Sequence, residues 1–303
     1  MTISELQQEI LRVKRERGAY ILAHVYQGQE ILEIADATGD SYALAVQASR
    51  AEAERFIMCG VRFMAETVKL LNPNKKVYLA NSEAGCPMAD GLSYDRLKKA
   101  QERYPNAATV CYINTSAEVK TISDVCVTSS SAVEIIRKMP EKEILFVPDC
   151  NLGAYVQSQV PEKEFHLISG GCPIHAQITA EDVRAAKALH PKAVLAVHPE
   201  CQPEVCELAD YIGSTTGIMN YAKNCGENEV IIGTEISIVE HLQFERPDKR
   251  FYPLSKKLMC HNMKLTTLAD VYGCLSGEAE EITLAPEVIT TANRCIEKMI
   301  ELG

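Results

Sequence analysis

Twelve cysteines occur in the chain, yet no two of them form a CxxC pair. That absence counts against a ferredoxin-type run, a zinc ribbon and a thioredoxin motif, so any metal site must draw its ligands from distant parts of the chain. Positive charge is also in short supply: 31 Lys and Arg stand against 41 Asp and Glu, a formal net charge of −10. Phosphate-backbone contacts need basic patches, and no interleaving of aromatic and basic residues is present, so nucleic acid is not an expected partner. No stretch approaches the roughly 20 apolar residues that a membrane helix needs. The opening segment, MTISELQQEILRVKRERG, lacks the apolar core of a signal peptide and reads as an amphipathic helix. A cytoplasmic location without membrane attachment is expected, with the cysteines reduced rather than paired in disulfides. What is present is a soluble globular profile over 303 residues, 47% hydrophobic and 24% charged, enough for two or three domains.

The chain repeats itself. EILEIAD (Glu30 to Asp36), EVKTISD (Glu118 to Asp124) and EVCELAD (Glu204 to Asp210) place their aspartates 88 and 86 residues apart. An apolar run precedes each one, ending at His24, Tyr112 and His198 with the same two intervals. Before each run lies a predicted helix, starting near Ser4, Ser93 and Thr179, residue types that suit N-caps. Five residues after each aspartate stands a hydroxyl: Ser41, Ser129 and Thr215. A helix and a second strand follow (RFIMCG, EILFV, EVIIG), then a third strand (KVYLA, FHLIS, RFYPL). Short apolar strands alternating with helices predict an α/β fold: three pseudo-symmetric repeats, each a small parallel sheet covered on both faces, arranged around one central site. The predicted units are residues 1–88 together with 264–303, 89–175, and 176–263, with the C-terminal helix packing back on the first unit. Ligands of parallel sheets bind at the carboxyl ends of strands, where the polar residues of all three copies fall. Asp36, Asp124 and Asp210, read as lying inside the repeat helices, are assigned a structural role in turning the chain.

The ends of the third strands carry the sharpest pattern. NSEAGCPMAD, SGGCPIH and KKLMCHNM place Cys86, Cys172 and Cys260 at intervals of 86 and 88, the interval of the repeat. Independent buried cysteines have no reason to recur once per unit, so a shared metal site is predicted. Three thiolates suit zinc or an iron–sulfur cluster. Zinc would want a fourth ligand, for which His175 is available. A 4Fe-4S cluster on three cysteines leaves one iron open as a Lewis acid. Cys201 in HPEC could close a fourth position, but it is out of register. The rivals are a zinc lyase or aldolase on the same scaffold, and an electron-transfer or sensing protein with a closed cluster. The remaining cysteines, among them Cys111, Cys126 and Cys295, are read as core or surface residues.

The motifs AHVYQ, GDS, CGVRFMAETVKLL, NSEAGCPMAD, YINTSAEVK, VTSSSA, GGCPIH, HPECQPEV, GSTTG, GTE and TLADV resemble those of quinolinate synthase from about Ala23 to Asp270. The resemblance implies three α/β domains around a 4Fe-4S cluster held by Cys86, Cys172 and Cys260. It also implies condensation of iminoaspartate with dihydroxyacetone phosphate to quinolinate, the precursor of the NAD pyridine ring. An aspartate-oxidising enzyme is the partner that could hand over the imine. His24, Ser41, Tyr112, Asn114, Ser129, His175, His198, Glu200 and Thr215 fall on positions resembling substrate-binding residues, with Glu200, Tyr26 and His198 the catalytic candidates. Val25 departs from the family's common tyrosine, but its neighbours in the strand face the other way. The chemistry fits these residue types. Hydroxyls at helix starts meet anions, or simply cap helices. A His–Tyr–His ring can grip carboxylate or phosphate, and Glu200 can act as general base with Tyr26 as proton donor or acceptor.

Overall fold

A computed structural model describes every residue from Met1 to Gly303. The first unit runs α1 (Ile3–Glu16), β1 (Ala19–His24), α2 (Gln29–Leu32), β2 (Ala37–Gly39), α3 (Ser41–Arg50), β3 (Arg55–Cys59), α4 (Arg62–Leu71), β4 (Lys76–Leu79) and α5 (Pro87–Asp90). The second repeats it as α6 (Tyr94–Arg103), β5 (Ala108–Tyr112), α7 (Ala117–Thr121), β6 (Val125–Val127), α8 (Ala132–Lys138), β7 (Glu143–Val147), α9 (Cys150–Gln159), β8 (Glu164–Leu167) and α10 (Pro173–Ala176). The third comprises α11 (Ala180–Leu189), β9 (Val194–Val197), α12 (Pro203–Cys206), β10 (Tyr211–Ile212), α13 (Thr215–Asn224), β11 (Glu229–Gly233), α14 (Ser237–Glu245), β12 (Arg250–Pro253) and a 3-10 turn, Asn262–Lys264. Two helices close the chain, α15 (Leu268–Ser276) and α16 (Pro286–Leu302).

Each unit forms a four-stranded parallel sheet in the same order: β2-β1-β3-β4, β6-β5-β7-β8 and β10-β9-β11-β12. The strands lack polar alternation because helices cover both faces; all five residues of β5 are buried. Full burial of one Val, Ile or Phe side chain contributes about 1.5–3 kcal/mol. The first and third sheets share one core, in which Leu22, Met58 and Phe56 meet Ala196, Val230 and Ile232. No helix is long and apolar enough to cross a membrane.

Two of the expected helix starts are the observed N-caps, Ser93 and Thr179. In α1 the cap is Thr2 rather than Ser4, because Glu5 stands three residues after Thr2 and completes a capping box.

The sequence pattern misses β2, β6 and β10. Two or three residues are too few to carry a periodicity. Tertiary contacts make them strands, and the repeated aspartates supply those contacts. Asp36, Asp124 and Asp210 follow the short helices α2, α7 and α12 instead of lying inside them. Each carboxylate accepts the N–H of a residue in the unit's first strand: Ile21 at 2.8 Å, Thr109 at 2.7 Å and Leu195 at 2.7 Å. Each aspartate N–H donates back to the same residue's carbonyl, at 2.8, 2.9 and 2.9 Å. This pin turns the chain and sets the edge strand in register. Asp124→Ala leaves the buried Thr109 N–H without a partner, which should cost about 1–3 kcal/mol. Urea unfolding should show a lower midpoint, and an unchanged midpoint would mean that the pin carries no stability.

The segment after Met263 divides. α15 packs on α1 and β3 of the first unit, whereas α16 lies on α7 and β6 of the second. The expectation that both return to the first unit is therefore corrected for α16. Its apolar stripe of Ala292, Cys295, Ile296 and Met299 completes the core of the second sheet.

Candidate active site

The carboxyl ends of the three sheets open on one common cavity. Its walls include all three in-register cysteines, Cys86, Cys172 and Cys260, together with His24, Tyr26, Ser41, Tyr112, Asn114, Ser129, His175, His198, Glu200 and Thr215. Val25 is buried in the hydrophobic core instead.

The local settings of the cysteines repeat. Cys86 and Cys172 are the N-cap residues of α5 and α10, and Cys260 precedes the 3-10 turn. Each sulfur receives backbone N–H bonds from the residues two and three positions on: Met88 and Ala89, Ile174 and His175, Asn262 and Met263. Burial opposes ionisation of all three thiols and pushes Cys86 up to about 12, while these N–H bonds favour the thiolate. The backbone N–H of each cysteine is in turn fixed by a carboxylate: Asp90 at 3.0 Å, Asp149 at 2.9 Å and Glu235 at 3.4 Å. This explains the flanking glycines. A Cβ at Gly85 would stand 2.8 Å from the Asp90 carboxylate, and one at Gly171 3.2 Å from that of Asp149. Burial, followed by the charge of Glu200, lifts Asp149 to about 7, against N–H bonds from Leu152 and Cys172.

The three sulfurs are not all within 4.8 Å of one another. A single zinc ion with Zn–S bonds of about 2.3 Å would draw its thiolates to about 3.8 Å apart. The set therefore fits a larger, polynuclear group better than one ion. Cys201 is no fourth ligand: it is buried in the core of the third unit, its sulfur 3.7 Å from the Gly233 carbonyl. His175 Nδ1 does approach Cys172 Sγ at 3.3 Å, but it donates to Glu200 Oε2 at 2.8 Å.

That last contact begins a chain of hydrogen bonds through the walls. With Nδ1–H given to Glu200, His175 Nε2 faces the Thr234 hydroxyl at 3.1 Å. Thr234 Oγ1 lies 2.8 Å from the Tyr26 hydroxyl, itself 2.8 Å from Thr215 Oγ1. The Tyr112 hydroxyl also acts on Glu200. The chain joins Tyr26 of the first unit, His175 of the second, and Thr215, Thr234 and Glu200 of the third. Burial works to raise the Glu200 carboxyl, yet His198, the His175 bond and Tyr112 outweigh it and hold it at about 2. Burial pushes the Tyr26 and Tyr112 hydroxyls well above their ordinary range.

His24 and His198 have matching roles. In each, Nδ1 accepts a backbone N–H two residues on, from Tyr26 at 3.1 Å and Glu200 at 3.3 Å, leaving Nε2–H free to donate. Burial drives both imidazoles down to about 4 despite the nearby carboxylates, so they are neutral donors at neutral pH. A folded-state value below the ordinary 6.5 means that the unfolded chain binds more protons between these limits. Stability is then full above about pH 6.5 and falls as the pH drops toward 4, at about 1.4 kcal/mol per pH unit for each group. Asp149, raised to about 7, works in the opposite sense over the same window, so the individual rings are the test: the His24 and His198 imidazole NMR signals should stay those of neutral rings from pH 7.5 down to about 5.5, and titration near 6.5 would contradict the assignment.

The walls hold three carboxylates, Asp40, Glu200 and Glu235, but no lysine or arginine. An anionic ligand would meet hydroxyls, imidazoles and helix N-termini. Ser41 and Thr215 are the first residues of α3 and α13, whose caps are Asp40 and Ser214, so plain capping does not account for them. Ser129 lies in the turn before α8. Asp40 also accepts the Thr216 hydroxyl at 2.6 Å, joining the first unit to the third. Asn114 Oδ1 is buried without a partner. Thr234, Asp149 and Asp90 were not singled out by the sequence: Thr234 has no counterpart at the repeat interval, and the carboxylates act only on backbone.

Fold and site together define an α/β enzyme of three repeated units whose strand ends, with one cysteine from each unit, line a common cavity. The family model described as Quinolinate synthetase A protein matches residues 8–301. Quinolinate synthase of Caldicellulosiruptor bescii is 45% identical over 303 residues, covering 100% of both chains. That of Thermodesulfovibrio yellowstonii is 45% identical over 295 residues (97% of each), and that of Aquifex aeolicus 45% over 306 (99% of this chain, 95% of the relative). The chain belongs to the quinolinate synthetase A family.

Proposed function

We propose that the chain is a quinolinate synthase of de novo NAD biosynthesis, condensing iminoaspartate with dihydroxyacetone phosphate to quinolinate with loss of phosphate and water. The observation that carries this reading is the meeting, in one cavity, of three cysteines in like settings with a ring of hydroxyls and neutral imidazoles. Cys86, Cys172 and Cys260 would hold a 4Fe-4S cluster. When bound on three cysteines, such a cluster offers one open iron as a Lewis acid toward a substrate oxygen.

The chain's own residues then divide the work. The N–H groups at the starts of α3 and α13, with Ser41, Ser129 and Thr215, receive phosphate and carboxylate without a side-chain cation. His24 and His198 donate from Nε2–H to carboxylate oxygens. Asn114 Oδ1, otherwise unpartnered, accepts from an imine N–H or a hydroxyl. Glu200, ionised across the neutral range, is the acceptor for the abstracted proton and shares it with His175 through their 2.8 Å contact. Tyr26 exchanges a proton with substrate while Thr234 links it to His175. An aspartate-oxidising enzyme in the same cytoplasm is the proposed source of the imine.

The iron-replete protein, kept free of oxygen, should form quinolinate and inorganic phosphate in equal amounts when both substrates are present, and neither product when one is omitted. Phosphate release without quinolinate would overturn the reading.

A further inference from the structure

Away from the cavity, the second unit gathers three thiols that the proposed reaction does not use. Cys111 on β5 and Cys126 on β6 face each other in register across adjacent parallel strands. Cys295 of α16 meets them from the helix that covers the edge strand. Cys126 Sγ lies 3.2 Å from Cys111 Sγ and 3.3 Å from Cys295 Sγ, and all three residues are 0% exposed. All three sulfurs lie within 4.8 Å of one another.

Packing alone does not account for this spacing. Even carbon, the smaller atom, rests best at about 3.5–4.0 Å in non-bonded contact. Nor is the spacing that of a cluster site: there is no room for a cubane among sulfurs this close. It does approach the roughly 3.8 Å between thiolates that share one ion with metal–sulfur bonds of about 2.3 Å.

A buried cation stands near the three thiols. Lys120, also 0% exposed, donates to Ile113 O at 2.9 Å, to Thr115 O at 2.5 Å and to Thr115 Oγ1 at 3.2 Å. These are the three acceptors an ammonium needs, and the Lys120 charge acts on both Cys111 and Cys295. Glu66, which caps α7 at Ala117 N, acts on Lys120 only from beyond ion-pair distance. Three thiolates on a divalent ion leave one negative charge, which the ammonium offsets.

We propose that Cys111, Cys126 and Cys295 bind one thiophilic metal ion, zinc or copper(I), in a structural site separate from the active cavity, pinning α16 to the edge of the second sheet. Soft thiolate ligands select these two ions. Binding replaces the thiol protons by metal–sulfur bonds and involves no change of oxidation state.

The test is elemental analysis of the iron-loaded chain, purified without oxygen from cells supplied with zinc and copper and washed with a weak chelator. About one equivalent of zinc or copper per chain should accompany the iron, as a closed thiolate site retains its ion. X-ray absorption at that metal's edge should show sulfur neighbours at about 2.3 Å. Cys295→Ala should lose the zinc or copper more than tenfold and keep its iron. Because iron is counted in the same samples, a failure of the cavity cluster is told apart from a failure of this site. Less than a tenth of an equivalent in the wild type would overturn the proposal, as would oxygen or nitrogen neighbours only, or equal metal in Cys295→Ala. If that variant does not fold, the wild-type absorption spectrum decides alone.

Discussion

Glu200→Gln lowers quinolinate formation by about 10²–10⁴-fold, the range that a positioned acid–base group contributes, and leaves iron and sulfide content unchanged. The glutamate is the convergence point of the site. Its carboxylate accepts from His175 at 2.8 Å and is acted on by the Tyr112 hydroxyl, while Asn151 fixes its backbone carbonyl at 3.1 Å. A glutamine keeps the shape but loses the charge, and its amide has one oxygen where the carboxylate had two. Either Tyr112 or His175 is then left facing an N–H₂ group in a buried setting, which costs about 1–3 kcal/mol. The fall should appear in kcat more than in KM, because the charge matters most while a proton is moving. A Glu200→Gln enzyme with full kcat would remove this carboxylate from the chemistry.

Cys172→Ala should abolish the cluster: iron falls from about four per chain, the content of one cubane, to background, and no quinolinate forms. Cys201→Ala, by contrast, should keep both iron and activity, since its sulfur faces the Gly233 carbonyl in the core. The pair of variants separates the open cluster from its rivals. Loss of iron in Cys201→Ala would point to a closed, four-cysteine cluster and to electron transfer. Full iron in Cys172→Ala would move the cluster away from the cavity altogether.

Much of this site was legible in the sequence because the repeat supplies its own register. Once aspartates recur at 88 and 86 residues and cysteines at 86 and 88, strand ends and loops can be matched across units without coordinates. The matching fails where a unit departs from its siblings. Asp149 and Glu235 stand 86 residues apart and serve Cys172 and Cys260, but the first unit uses Asp90, on the other side of its cysteine. Thr234 is likewise unique to the third unit. The edge strands escaped because they are shorter than any periodicity, and α16 because an amphipathic helix does not say which apolar face it will cover. The thiol group of Cys111, Cys126 and Cys295 was hidden for the same reason: its third member arrives on that helix.

The proposed function places four irons on three cysteines, and Mössbauer spectroscopy of the protein loaded with ⁵⁷Fe reads that count most directly. Three ligands predict that the irons divide roughly 3:1, the single iron lacking cysteine coordination and changing its signal when a dicarboxylate enters the cavity. Four equivalent, fully thiolate-ligated irons, or a cavity whose cysteines hold zinc in place of iron, would contradict it.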